Sequence, residues 1–333
     1  MGGVNRYLAV ARSTLTGRWV GRRSASSPRL RPLDLSPFED ALRDFEDDRV
    51  ERVATLVRDA SIVQLSRLMD SGRLTSQDLT LLCLSRIRAQ DETLRSLLEL
   101  NPHALVEAAS ADERRRAGVS PSPLCGIPLT LKDNIETAPP LHTTAGSVRL
   151  ADHLADHDAP LVALLRDAGA VILGKANLSE LAGARSSRAG FSAVGGQAMN
   201  PFGAQFSPGG SSSGSALPSG QGVLDLAVLR GADADAHAEA ALGFRDRAAA
   251  LLAETFDGTR TELLVSLSNR HSSVYATAGF PAVTVPAGMR SNGMPVGATF
   301  IGRPGEDGRL LSMAHAFERV TRLRREPIGA GRR

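Results

Sequence analysis

The sequence changes character at Pro121, where a helical pattern gives way to alternating helices and short apolar runs. Residues 126–132, GIPLTLK, form an apolar run that ends on a polar residue, which predicts a buried strand. A helical pattern over residues 159–168 follows, then Gly169 and a second apolar run over residues 171–174. This helix–turn–strand order is typical of an α/β fold, and it constrains the architecture more than any other feature of the chain.

The segments around this region predict further helices and strands. Before Pro121 the periodicity is helical, with a cap expected at Ser61 and at Thr75–Ser76 and a stop at Gly72. After residue 185 a stretch rich in Ser, Gly and Pro has no helical or strand period. The predicted helices span about residues 37–56, 61–71, 76–87, 105–116, 235–255 and 310–323, and the later strands span 263–267, 282–285 and 296–301.

The positive charge is concentrated at the two ends of the chain. Residues 1–33 contain seven arginines and no acid, so the rest of the chain is net acidic despite the overall charge of +3. More arginines lie in the tail, at 322, 324, 325, 332 and 333. Nucleic-acid proteins usually carry basic residues on a face of the folded body, so we predict a disordered arm over 1–33 and no nucleic-acid partner. An organelle transit peptide is the alternative for the arm.

Cysteine use and hydropathy bear on localisation. Cys83 and Cys125 are far apart and form no CxxC motif, which favours a reduced, cytoplasmic protein. No apolar run approaches the roughly 18 residues that a membrane span requires, so no membrane association is expected.

Lysine is almost absent from the chain. Only two of its 39 basic residues are lysines, Lys132 and Lys175. Arginine keeps its proton near neutral pH, whereas a desolvated lysine can release it. A lysine that persists in such a sequence can mark a position where arginine would not serve; chance survival is the alternative.

Two motifs carry potential chemistry. The first is residues 126–134, GIPLTLKDN, where Lys132 ends a buried strand and can act as a base if desolvation lowers its pKa. The second is residues 207–215, SPGGSSSGS, which offers close backbone approach, N–H donors and several hydroxyls. A flexible linker is the alternative explanation for the second motif.

Together these motifs resemble the amidase signature family of serine hydrolases. Supporting segments agree in order: TTAGS (143–147), LGKANLSEL (173–181), NPF (200–202), AGFPAVTVPAG (278–288) and GMPVGATFIGR (293–303). The resemblance covers about residues 40–216 and 240–325. It implies a mixed β-sheet flanked by helices, with one amidase-like domain over 34–325 and a tail over 326–333.

The resemblance also implies a mechanism and site residues. Lys132 corresponds to the family's catalytic lysine and Ser211 to its cis-bonded serine, which relays a proton from a separate nucleophilic serine to the lysine. Gly209, Gly210 and Ser212 would shape the loop that receives the substrate. The implied reaction is hydrolysis of the C–N bond of a small-molecule amide, with no metal and no organic cofactor.

The match fails at Leu217. The family's nucleophile lies in a motif similar to GTxxGGSIRxPA shortly after the Ser-rich loop, but LPSGQG (217–222) stands here, and Pro218 would interrupt a helix. Residues 223–258 contain no serine. We therefore predict a deletion junction near 217–224 and an incomplete core, arising from a truncated homologue, a decaying gene or a gene-model error.

Other interpretations remain open. Ser212, Ser213, Ser215 or Ser219 could substitute for the nucleophile, and GSSSG (210–214) fits a G-x-S-x-G elbow centred on Ser212. No Gly-Lys-Ser/Thr follows the glycines, which disfavours a phosphate-binding loop. His153 and His157 beside Asp158 could suggest a metal, although surface histidines are the simpler account. Cys125 is interpreted as a buried structural thiol.

The main alternative to an enzyme is a catalytically inactive pseudo-amidase that binds a ligand or a partner. The family includes the amidase subunit of a tRNA-dependent amidotransferase, which acts in a complex. The sequence leaves open whether this chain forms an oligomer.

Overall fold

The computed structural model describes residues 29–183, 189–215, 224–226, 238–268 and 270–327. The chain divides into two compact units, Met1–Arg230 and Gly231–Arg333. The deletion junction predicted near 217–224 falls largely outside the described residues, and so does Pro218, which is expected to interrupt a helix. Most of the Arg-rich arm also lies outside them. The single domain predicted over 34–325 remains a prediction.

The first unit begins with the predicted helical region. Its helices are α1 (Glu39–Arg43), α2 (Asp47–Val57), α3 (Ile62–Asp70), α4 (Ser76–Leu94), α5 (Ala104–Arg116) and α6 (Pro160–Asp167). The predicted caps are present, because Ser61 forms a capping box with Gln64, and the Thr75 hydroxyl accepts a hydrogen bond from the Asp78 N–H at 2.9 Å. The helical character predicted for this region is confirmed, but the single helix predicted over about residues 37–56 is wrong, because residues 44–46 separate α1 from α2.

A mixed sheet lies at the centre of the first unit. Its strands are β1 (Leu97–Leu100), β2 (Pro128–Lys132), β3 (Val171–Ala176) and β6 (Leu224–Leu226), in the spatial order β1-β3-β2-β6. Strand β1 is antiparallel to β3, whereas β2 is parallel to both β3 and β6. Every residue of β2 and β3 is buried, as the apolar runs predict. The α/β prediction, with a mixed sheet and flanking helices, is confirmed.

Strands β1 and β6 are not among the strands predicted from the sequence. Strand β1 follows helix α4 almost directly, and its leucines continue the helix's apolar pattern. The reversal occurs at Arg95, which has a left-handed backbone with φ of +51°. Close pairing of β1 with β3 requires Gly174, because a Cβ there would lie 2.2 Å from the carbonyl oxygen of Glu99.

A short hairpin follows β3 in the first unit. Its strands are β4 (Phe191–Ser192) and β5 (Gly196–Gln197), which pair antiparallel. The prediction that the stretch after residue 185 contains no strand is therefore wrong at these four residues. Val194 lies in the turn between these strands, and its carbonyl accepts a hydrogen bond from the Leu30 N–H at 2.9 Å. Arg29 forms a buried ion pair with Asp91. The predicted arm boundary at residue 33 is therefore wrong by a few residues, since residues 29 and 30 already contact the folded unit.

The second unit is an antiparallel sheet with helices. Its elements are α7 (Ala238–Thr259), β7 (Leu264–Leu267), α8 (Ser272–Tyr275), β8 (Ala282–Met289), β9 (Pro295–Ile301) and α9 (Asp307–Thr321). The strand order is β7-β9-β8. Aromatic contacts fill its core, since Phe256 stacks on Phe280 at 5.9 Å and Phe300 meets Phe317 edge-on at 5.4 Å. The helices and strands predicted for this region are present.

Candidate active site

The structure brings Lys132 and Ser211 into direct contact. Lys132 is the last residue of β2 and is fully buried. Its Nζ donates a hydrogen bond to Ser211 Oγ at 2.8 Å, across 79 residues of sequence. The peptide bond between Gly210 and Ser211 is cis. Complete burial removes water from the amine, which is the environment in which a lysine can serve as a base.

The Ser-rich loop is held by the segment that follows β3. The Ser179 N–H donates to the Ser211 carbonyl at 2.9 Å, and the Gly214 N–H donates to the Asn177 carbonyl at 2.8 Å. Ser179 Oγ accepts from the Gly190 N–H at 2.9 Å, which ties a third segment to the same point. In the sequence, residues 173–181 are a supporting match to the family, and no role is predicted for Asn177 or Ser179. Polar residues directly after a buried strand were the available signal.

Glycines allow this close approach. Gly209 has φ of +77°, a conformation that favours glycine. A Cβ at Gly210 would lie 2.7 Å from Ser179 Oγ, and a Cβ at Gly214 would lie 2.1 Å from the Asn177 carbonyl oxygen. Both distances are shorter than any real carbon contact, so side chains at Gly210 and Gly214 would displace the loop.

The other serines of the loop differ from Ser211 in burial and contacts. Ser212 is half-buried, and its hydroxyl makes no hydrogen bond to the described residues. Ser213 and Ser215 are 1% and 5% exposed, and each buried hydroxyl lacks a partner within the described part of the chain. Ser219 lies outside the described residues. Among the described serines of the loop, Ser211 is the one whose hydroxyl contacts Lys132.

Lys175 lies on β3, beside Leu131 of β2, and has a different environment. Its Nζ donates to the Ile135 carbonyl at 2.8 Å, to Thr143 Oγ1 at 2.9 Å and to Thr137 Oγ1 at 3.1 Å. Burial lowers the pKa of Lys175 to about 8, and the nearby Asp133 carboxylate opposes that shift. With three acceptors around it, this amine anchors the loop after β2.

Asp133 accounts for the conformation of the TTAGS segment, residues 143–147, because the segment's polar groups bond to its carboxylate. Its Oδ2 accepts hydrogen bonds from the backbone N–H groups of Thr144 and Gly146, each at 3.1 Å, and from the Thr144 hydroxyl. Burial raises the pKa of Asp133 to about 6, while Lys175 and these hydrogen bonds oppose the shift. The segment therefore folds around the carboxyl group that directly follows Lys132.

The structure does not favour the other chemical interpretations. Residues 198–212 contain neither helix nor strand, so Ser212 lacks the preceding strand of a nucleophile elbow. The carboxylate of Asp158 is paired with Arg166 at 2.9 Å, and within the described ranges no group of three or more potential ligands could hold a metal ion. Cys125 is fully buried, which confirms its interpretation as a buried thiol.

Comparisons with known proteins agree with this geometry. A family model described as Amidase matches residues 78–228. An amidase homologue of Schizosaccharomyces pombe is 41% identical over 174 residues, which cover 52% of this chain and 30% of that protein. The A subunit of the glutamyl-tRNA(Gln) amidotransferase of Deinococcus radiodurans is 38% identical over 165 residues, which cover 50% of this chain and 33% of that protein.

The fold agrees as well. The crystal structure of an amidase family protein from Bacillus anthracis superposes with a TM-score of 0.77, at 21% identity, covering 88% of this chain and 97% of that one. Residues 78–228 of the chain therefore match the amidase family, and the fold is that of solved amidases. The matched stretch spans about a third of the length of the curated relatives.

No helix within the described ranges has both the length and the apolar composition needed to cross a membrane.

Proposed function

We propose that this chain is a serine-type hydrolase of carboxylic amide C–N bonds that acts on small-molecule amides. The observation that carries the proposal is the 2.8 Å contact between Lys132 Nζ and Ser211 Oγ. A neutral amine at this position accepts the hydroxyl proton and raises the nucleophilicity of the site's oxygen. The match of residues 78–228 to the Amidase family model supports the reaction class.

The surrounding residues support this assignment of roles. Lys132 is held at the end of a fully buried strand, and Ser211 is held by Ser179, so neither group must reorganise during the reaction. Gly209 and Gly210 are exposed and carry no side chain, which leaves the approach to Ser211 open to an amide carbonyl. The chemistry needs neither a metal nor an organic cofactor. A cytoplasmic location without nucleic-acid or membrane partners belongs to the same proposal.

The test is turnover of a panel of primary carboxamides and anilides by the wild-type protein and two Lys132 variants. Lys132→Ala removes the base, and Lys132→Met removes it while nearly preserving side-chain volume. Loss of a general base lowers kcat/KM by about 10²–10⁴-fold. Thermal melts identify which variants are folded. Undiminished turnover by folded Lys132→Met would overturn the role of Lys132.

A pseudo-amidase is the second candidate, and a specific observation favours it. No serine lies between Ser219 and Ser266, the interval that follows the Ser-rich loop and where the family's nucleophile is expected. Such a protein would keep the loop that binds the amide but would not hydrolyse it. Its signature is saturable binding of a primary amide, measured by calorimetry, with no turnover by a protein that melts cooperatively.

A further inference from the structure

We infer that Ser211 itself is the nucleophile of this chain, acting with Lys132 as a two-residue Ser–Lys dyad. The inference rests on the proposed hydrolase function and changes the role of Ser211 from proton relay to attacking group. It assigns a complete nucleophile-and-base pair to residues that the structure already holds in contact.

The first support is the directness of the contact. Lys132 Nζ and Ser211 Oγ are 2.8 Å apart with no intervening group, which is within the range required for proton transfer from a nucleophile to its base. Serine and lysine form a competent nucleophile pair on other folds, without a third residue. The contact therefore supplies both functions that acylation requires.

The second support is access. Ser211 is half-buried, whereas the two preceding residues, Gly209 and Gly210, are exposed and present only backbone. A substrate carbonyl can approach Oγ from this side, while Lys132 contacts the hydroxyl from the buried strand. The backbone of Ser211 is fixed by the 2.9 Å hydrogen bond from the Ser179 N–H to its carbonyl.

The third support is the elimination of nearby serines. Ser213 and Ser215 are almost fully buried, and Ser179 is 3% exposed with its hydroxyl accepting from the Gly190 N–H. Ser212 is more accessible, but within the described ranges its hydroxyl contacts no base. Among the described serines of this region, Ser211 combines access with a base.

The loop also offers donors for the developing negative charge. No hydrogen bond among the described residues uses the backbone N–H of Ser211 or of Ser212. Unpaired N–H groups beside a nucleophile are the usual donors to an oxyanion. Within the described ranges, these two N–H groups can donate to the carbonyl oxygen of a substrate bound at Ser211.

The reaction balances without any further component of the protein. The Ser211 hydroxyl proton moves to neutral Lys132 Nζ while Oγ bonds to the amide carbon. The C–N bond then breaks, and the leaving amine takes that proton from Lys132, which leaves an ester on Ser211. Water attacks the ester with Lys132 as base, and its proton passes through Lys132 to Oγ as the C–O bond breaks. The products are a carboxylic acid and an amine.

The experiment is labelling of the full chain with a fluorophosphonate, whose fluoride is displaced by an activated serine oxygen. Tryptic cleavage after Arg188 and Arg230 gives one peptide, residues 189–230, which contains all the serines of the loop. Fragmentation of that peptide localises the adduct. We expect it on Ser211, with no labelling of Ser211→Ala and with an unchanged labelling rate for Ser312→Ala, the control at an exposed serine of helix α9.

The outcomes separate the inference from the proposed function. An adduct on Ser211 supports both. An adduct on another serine, lost in Ser211→Ala, keeps the hydrolase proposal and overturns the inference, because Ser211 then acts as a relay. Absence of any adduct and of any turnover in cooperatively folded wild-type protein overturns both.

Discussion

At the scale of single residues, the two lysines of the chain occupy neighbouring parallel strands but have different surroundings. Lys175 Nζ is enclosed by three oxygen acceptors from the loop after β2, whereas Lys132 Nζ meets the hydroxyl of Ser211. Three acceptors around a point charge suit an ammonium better than the planar fork of a guanidinium. This difference explains why arginine, the usual cation of this chain, does not replace Lys175.

Replacing Lys175 tests its anchoring role. Lys175→Met leaves the Ile135 carbonyl and two threonine hydroxyls without their donor and removes the charge that partly compensates Asp133. Losing buried hydrogen bonds from a charged donor costs about 3 kcal/mol in the free energy of unfolding. Urea titration measures this loss in the free energy of unfolding. The control is Arg309→Met, an exposed cation whose ion pairs contribute about 1 kcal/mol or less. Equal effects of the two substitutions would contradict the anchoring role.

Asp133 gives the stability of the protein a defined pH dependence. Its pKa is about 6 in the folded chain against an ordinary value of 3.8, so the folded state holds the proton more tightly than the unfolded state does. The stabilisation that comes from the protonated Asp133 carboxyl group is fully present below pH 3.8 and is lost as the pH rises through about 6.

Asp133→Asn removes this titration while nearly preserving the shape of the side chain. The free energy of unfolding of the wild type, minus that of the variant, should therefore fall between about pH 4 and pH 6.5. Urea titrations of both proteins at the two pH values measure the difference. A constant difference would show that the carboxyl group titrates as it does in water, and a rising difference would show that folding lowers its pKa; either result contradicts the prediction.

At the scale of elements, the sequence predicted what local patterns encode. Strands β2 and β3 and the capped helices were predicted because burial, periodicity and capping residues are local signals. Strand β1 was missed because its leucines continue the apolar pattern of α4, and the left-handed turn at Arg95 carries no glycine signal. The position of Lys132 and Ser211 came from motif resemblance. The anchoring of the loop by Asn177 and Ser179 depends on long-range contacts that no local pattern specifies.

The anchoring of the Ser-rich loop can be tested through Gly214. In Gly214→Ala the new Cβ would lie 2.1 Å from the Asn177 carbonyl oxygen, so the loop and Ser211 must shift. A shift of about 1 Å in catalytic geometry costs on the order of 100-fold in rate. The measurement is the rate of fluorophosphonate labelling.

Gly258→Ala is the matched control for this substitution. Gly258 lies in helix α7, and a Cβ there meets nothing within 4 Å. Alanine is the better helix former, so this variant should label normally and gain up to about 1 kcal/mol in the free energy of unfolding. Normal labelling of Gly214→Ala would show that the loop position does not depend on this contact.

At the scale of the whole molecule, each unit raises a different question. The first unit contains both Lys132 and Ser211, so the site is built within one compact region of the chain. In the second unit, β7 is an outer strand of the described three-stranded sheet, and its Val265 and Leu267 are 60% and 56% exposed. Exposed apolar residues on an outer strand favour pairing between molecules.

Substituting the exposed apolar residues of β7 tests whether this strand drives self-association. The double variant Val265→Thr and Leu267→Thr keeps strand propensity and removes apolar surface, so the mass measured by light scattering at high protein concentration should fall. Val106→Thr, at an exposed position of helix α5, is the control and should leave that mass unchanged. The prediction fails if the double variant and the wild type show the same dependence of mass on concentration.

Intact-mass analysis after fluorophosphonate treatment is the decisive test of the proposal that Lys132 activates a serine oxygen in the first unit. We expect one adduct per chain for the wild type and labelling slowed by about 10²–10⁴-fold in Lys132→Met, because a general base contributes a factor of this size. Thermal melts of both proteins establish that they are folded. Equal labelling rates for the two folded proteins, or no adduct on the folded wild type, would contradict it.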